Sequence, residues 1–149
     1  MALSLCCLAG SVAAQCRPDV VDIRWPGGKA RFQVELAETP EAQQRGLMFR
    51  AELAPSAGML FVFPEAKHAS FWMKDTLIPL DMLFADASGR ITRIHPDAIP
   101  HDETPIDGGG GVKFVLEING GLAARLHMPE GAEMRSPVIE PRTAAWACD

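Results

Sequence analysis

Apolar and polar side chains alternate over residues 30–37, with Ala30, Phe32, Val34 and Leu36 on one parity and Arg31, Gln33 and Glu35 on the other. A period of two predicts a strand with one buried and one wet face. Residues 20–24 are also rich in β-branched side chains, and Pro26-Gly27-Gly28-Lys29 separates the two runs, so together they predict a β-hairpin. Thr39-Pro40-Glu41 then offers a capping hydroxyl, a proline for the first helical position and an early acid. These open a short helix expected to end near Met48. Residues 59–63 are apolar on both parities, which predicts a central strand buried on both sides, stopped by Pro64.

Further short strands are predicted over residues 71–74, over 80–85 with Leu80, Met82 and Phe84 on one face, and over 91–95 after a Ser88-Gly89-Arg90 turn. Residues 96–111 hold Pro96, Pro100, Pro105 and the run Gly108 to Gly111. That composition predicts a long loop, either mobile or functional, and a place where a partner could dock. Alternation returns at Val112, Phe114, Leu116 and Ile118, breaks at Gly120-Gly121, and is followed by one helical turn at 122–126 and a last strand over 133–139. Many short strands with one or two brief helices predict a mostly β fold, a small antiparallel sandwich or barrel-like domain. The chain has no strand–glycine loop–long helix unit, which removes nucleotide-binding folds.

Length narrows this to one domain, since 149 residues suffice for one ordinary domain and not for two. Hydrophobic residues at 48% and charged ones at 22% are globular proportions. A formal net charge of -5 argues against a nucleic-acid partner, whose phosphates call for a basic surface. Residues 1–15 are apolar and small and carry no charged side chain. They predict a signal peptide, with Val12-Ala13-Ala14 as the cleavage site, and a mature domain over 16–149 that is periplasmic or secreted. No further apolar run reaches the roughly 18 residues needed for a transmembrane span. Cleavage would remove Cys6 and Cys7 and leave Cys16 and Cys148. In an oxidising compartment these predict one disulfide, worth about 4–5 kcal/mol in the chain-entropy model.

Charges accompany the most apolar blocks instead of the loops. Lys74 and Asp75 adjoin Phe71-Trp72-Met73, Asp81 sits between Leu80 and Met82, and Glu117 between Leu116 and Ile118; Arg45 and Arg50 border Leu47-Met48-Phe49. A buried charge needs a partner. Arg45, Arg50, Lys74, Asp75, Asp81, Glu117 and Trp72 are therefore candidates for one polar pocket, or else for structural ion pairs that imitate one. Besides a structural or protein-interaction domain whose mobile 96–111 loop docks a partner, two readings follow. The preferred one is a non-enzymatic small-ligand-binding or accessory module of the cell envelope, meeting a small molecule or an envelope protein. The alternative is a hydrolase with Asp81 and Glu117 as acid and base and Lys74 or Arg45 stabilising negative charge. No catalytic nucleophile is assigned, because no serine lies in Gly-x-Ser-x-Gly and the mature cysteines are terminal.

No cofactor or metal site is assigned either. His68, His95, His101 and His127 lack paired spacing, and His101-Asp102-Glu103 reads as a solvated acidic loop. Met48, Met59, Met73, Met82, Met128 and Met134 lack Met-x-x-Met clustering, so core packing is their expected role. Trp72 is likewise expected in the core.

Four blocks together carry a resemblance. Arg45-Gly46-Leu47-Met48-Phe49-Arg50, Gly58-Met59-Leu60-Phe61-Val62-Phe63, the run FWMKDTLIPLDMLF at 71–84 and Val115-Leu116-Glu117-Ile118-Asn119-Gly120-Gly121 resemble the successive motifs of the bacterial and archaeal family known as domain of unknown function 192. The likeness spans about residues 31–137 and implies a small mostly β domain. It implies no catalytic residue. Asp75 departs from the family pattern, which has Asn there, and exchanges an amide for an acceptor-only carboxylate.

Overall fold

A computed structural model describes residues 16–148; the signal peptide expected over residues 1–15 lies outside them. Strand β1 (Val20–Trp25) turns into β2 (Gly28–Ala37), and helix α1 (Pro40–Arg45) follows. Then come β3 (Ala57–Phe71), β4 (Leu80–Ala85), β5 (Ile91–Ala98), β6 (Ile106–Asn119), helix α2 (Leu122–Arg125) and β7 (Glu133–Arg135). All seven strands form one sheet in the order β5-β4-β6-β3-β2-β1-β7. The sheet curls until its two edges meet. Ile91 N–H donates to Ala132 O at 2.8 Å, Gly131 N–H to Ile91 O at 2.7 Å and Met134 N–H to Gly89 O at 2.8 Å. The fold is thus mostly β and half-barrel in shape, as the alternation pattern predicts.

Local chemistry accounts for the elements. Trp25 pairs with Gly28 across Pro26-Gly27, and Gly27 has φ +93°, the left-handed value a turn with Pro then Gly demands. Thr39 caps α1 by accepting from Ala42 N–H at 3.2 Å, with Pro40 at the first helical position. The helix ends at Arg45 and not near Met48, because Gly46 turns out at φ +49° while its N–H closes on Ala42 O.

Four further expected boundaries are corrected. Pro64 does not end β3, which runs on to Phe71. Its register against β6 shifts between Val62 and Lys67, so the proline sits in an irregular stretch where a missing N–H is tolerated. The strand expected over 71–74 is not formed as such: Phe71 ends β3 and residues 72–79 are irregular. The expected loop over 96–111 is mostly strand, since β5 runs to Ala98 and β6 starts at Ile106, leaving 99–105 between them. Gly108 is needed there because a Cβ would fall on the Phe84 ring. The last strand stops at Arg135, short of 139.

Two cores lie on the two faces of the sheet. The curl encloses one, built on Val21, Ile23, Phe32, Leu83, Phe114, Leu116 and Met134. The other holds Met59, Phe61, Phe63, Met73, Met82, Phe84 and Val115. The distal halves of β3 and β6 fold over this second face, where Phe71 meets Phe61 and Phe84 edge-on at ring separations of 5.1 and 5.7 Å. β2 and β3 pair in parallel, which requires the chain between them to cross over through α1 and residues 46–56.

Cys16 and Cys148 are bonded, with Cα atoms 5.8 Å apart across 132 positions. The tail beside them is held further by Trp146, which stacks between Arg24 and Arg135 at 4.6 and 4.3 Å. Replacing both cysteines by serine is expected to lower stability by about 2–3 kcal/mol in urea titrations. That is below the chain-entropy figure, because the stacked tail keeps part of its contacts. No loss at all would show that the bond restrains only frayed ends.

Candidate functional site

Of the seven polar and aromatic candidates, the sheet separates the two acids first. Asp81 is the Cα partner of Ile118, whereas Glu117 is the partner of Met59 on one side and Met82 on the other. Directly opposed residues share a face; Asp81 therefore points with Ile118 into the curl, and Glu117 points with the methionines to the other side. This corrects the acid/base pair, because the backbone of the sheet lies between the two carboxyls. Asp81 is fully buried and engaged by backbone. Its Oδ1 accepts from Asp97 and Gly121 N–H, its Oδ2 from Ala123 N–H, each at 2.7 Å. It thereby caps α2 and fixes the end of β5 at Asp97, a residue with φ +49°. Its role is structural.

Glu117 is the opposite case. It is 4% exposed, and burial alone pushes its carboxyl up to about 8. Its neighbours across the sheet are Met59 and Met82, neither of which offsets that burial with a charge. Buried polar groups are ordinarily hydrogen-bonded, so this residue calls for an explanation.

Three irregular segments cross the same face: 46–56, 72–79 and 99–105. Leu47, Leu53, Met73 and Ile78 from the first two pack into the core that holds Met59 and Met82, and Asn119 Nδ2 ties Leu53 O and Ala54 O to β6 at 3.0 Å each. Each segment contains one non-glycine residue in the left-handed region, Phe49 at φ +64°, Asp75 at +52° and His101 at +64°. They are laced together, since Phe49 N–H donates to Asp75 O at 2.8 Å and His101 N–H to Thr76 O at 3.1 Å. Asp75 is explained by this backbone. Asn and Asp are the residues that best tolerate such φ values, so the exchange for the family's Asn preserves the turn. Phe49 has no such excuse, and its ring is 62% exposed.

The cationic candidates do not gather around Glu117. Arg50 donates a hydrogen bond to each carboxylate oxygen of Glu35, both at 2.7 Å, and holds that carboxyl below its ordinary range. Arg45 and Lys74 are exposed. Lys74 Nζ stands 5.3 Å from the Trp72 ring centroid, and Trp72 is 47% exposed, which corrects its expected place in the core.

Trp72 instead joins a groove absent from the sequence reading. Gln43 and Gln44 of α1, Phe61, Phe63, Lys67, Ser70 and Phe71 of β3, and Trp72 line a depression of about 200 Å³. Past Ser70, Phe71 and Trp72 it continues to Pro105; at the other end Phe63, Lys67 and Gln43 also line a hollow reaching Glu38 and Glu65. Gln43 Nε2 bridges Ala37 O at 3.1 Å and Val62 O at 2.9 Å, fastening α1 to the point where β2 leaves β3. Lys67 Nζ sits 3.9 Å over the Phe63 ring. Lys67 lies in a stretch where the register slips, so strand parity gave no signal for it. The aromatic run Phe61, Phe63, Phe71, Trp72 was the only available hint. Among the described residues no group of three His, Cys, Asp or Glu side chains converges as a metal site.

This fold and its sequence have known counterparts. A crystal structure of a protein of unknown function from Novosphingobium aromaticivorans superposes with a TM-score of 0.76 at 43% identity, covering 77% of this chain and 82% of that one. A second, from Sinorhizobium meliloti and provisionally described as a transcription regulator, has a TM-score of 0.76 at 39% identity over 82% of this chain and 95% of its own. No curated protein matches. The profile of the family DUF192, described as "Uncharacterized ACR", matches residues 23–136, and the chain belongs to that family.

Proposed function

We propose that the domain is a non-catalytic binding module that receives a small, flat apolar molecule bearing an acidic group in the groove between α1 and β3. The observation that carries this reading is the lining itself. Four aromatic side chains and one charged group, Lys67, line it, while Asp81, Glu35 and Arg50 are engaged elsewhere. An apolar floor with a few convergent polar groups is the usual form of a small-molecule site. The glutamine side chains of α1 and the Ser70 hydroxyl supply orientation, Lys67 supplies the counter-charge, and the exposed Trp72 face supplies stacking.

The disulfide and the lack of a membrane-spanning helix among the described residues are compatible with work in the periplasm or outside the cell, where the domain would act as an accessory to the envelope. The aromatic sulfonate 1-anilinonaphthalene-8-sulfonate is a direct probe. It is expected to bind saturably at one site, and Lys67→Ala and Trp72→Ala should each weaken it about tenfold. Dye binding that both variants leave unchanged would sink the proposal.

A further inference from the structure

Glu117 does not line the groove, and nothing in the groove's chemistry explains it. Its position in the sheet does. Reading across three adjacent strands at one level gives Met59 on β3, Glu117 on β6 and Met82 on β4, all on one face. Cross-strand partners of this kind hold their Cβ atoms roughly 5 Å apart, within the reach of two flexible thioether arms and one carboxylate arm. All three are buried, and Met73 from the overlying 72–79 segment belongs to the same core. The methionines, scattered along the sequence, are thus gathered around an acid by the sheet.

We propose that Met59, Glu117 and Met82 form a binding site for a soft monovalent cation of the copper(I) or silver(I) class. Thioether sulfur is a soft ligand and selects such ions over magnesium, calcium or manganese. A hard cation would need six or more oxygens, and one carboxylate is present. One positive ion beside one carboxylate is neutral overall, which limits the penalty of burying both. A soft cation seated on this row supplies the Glu117 carboxylate with a counter-charge that neither Met59 nor Met82 beside it provides. His95, the Cα partner of Met82, extends the row on β5 and is half-buried; its imidazole is a fourth donor at the outer end. Leu47, Leu53, Met73 and Ile78 of the segments 46–56 and 72–79 pack into the same core and cover this face.

The test is a silver(I) titration of the full chain, followed by calorimetry and native mass spectrometry. Free thiols are alkylated beforehand without reductant, so that the Cys16–Cys148 bond stays intact and no thiolate competes. One ion per chain is expected, with a rise in Tm. Met59→Leu, Met82→Leu and Glu117→Gln should each weaken binding about tenfold or more, whereas Met128→Leu, in the other core, should not. Leucine nearly conserves the volume of methionine, so the variants should fold, and circular dichroism verifies it. Absence of stoichiometric silver, or silver binding that survives the Met59→Leu/Met82→Leu pair, overturns the proposal. Dye binding in the groove is read on the same samples and stands or falls separately.

Discussion

Asp81→Ala is expected to lose about 5 kcal/mol of stability, enough to leave a domain of this size largely unfolded. The carboxylate answers three backbone donors, from Asp97, Gly121 and Ala123, at 2.7 Å each. Leaving a buried donor unpaired costs about 1–3 kcal/mol, and bonds to a charged acceptor are at the upper end. Alanine also leaves a small void and removes the cap of α2. Asn is isosteric yet keeps one acceptor oxygen for three donors and brings an NH2 that has no acceptor among those groups, so Asp81→Asn should recover less than half of the loss. Urea denaturation measures both. A loss below about 1 kcal/mol for Asp81→Ala would mean that water replaces the carboxylate, and the structural role would be wrong.

The second large effect is a pH dependence, and its sign is opposite to that of an ordinary paired acid. Burial raises the folded-state value of Glu117 from 4.5 to about 8. Between these two values the folded chain holds a proton that the unfolded chain has lost. Stability therefore falls as pH rises from about 4.5 to about 8, by an amount on the order of 5 kcal/mol, and levels off above. Other groups on the same row titrate or carry charge, namely Glu35 with Arg50 on β2 and His95 on β5; the comparison must therefore be made against Glu117→Gln and not against the wild type at one pH. The gap between the two proteins should be small near pH 4.5 and widen toward pH 8 in favour of the glutamine variant. A gap that does not change with pH would show that Glu117 titrates like an exposed carboxyl.

Much of the architecture was legible in the alternation of side chains, and the reasons for the exceptions are physical. The β1–β2 hairpin, α1, β4 and the core of β6 follow from period, capping and turn residues, which act within a few positions. The errors fall where tertiary packing overrides a local breaker. Pro64 and Pro96 lie inside strands, and Gly108 to Gly111 are recruited into β6, where Gly108 approaches the Phe84 ring closely. The site was legible only as a list of residues. Parity along each strand places Asp81 and Glu117 individually, but the relative face of two strands depends on register, which a single chain does not display. The groove was less legible still. It rests on where α1 lands beside β3, fixed by the two bonds from Gln43 to Ala37 O and Val62 O, contacts that carry no periodic signature.

The middle of the sheet has a consequence for assembly. β3 and β6 are neighbours there, although residues 57–71 and 106–119 are far apart in the chain, and β4 reaches the sheet only through β6. A polypeptide emerging N-terminus first can form the β1–β2 hairpin and lay β3 beside it, but β6, which joins those three to β4 and β5, is made after all five. Until residue 119 is out, neither core can close. Non-local pairing of this kind makes for slow folding, in milliseconds to seconds. Until then the apolar side chains of both faces stay uncovered, and the chain is open to aggregation for the length of that wait.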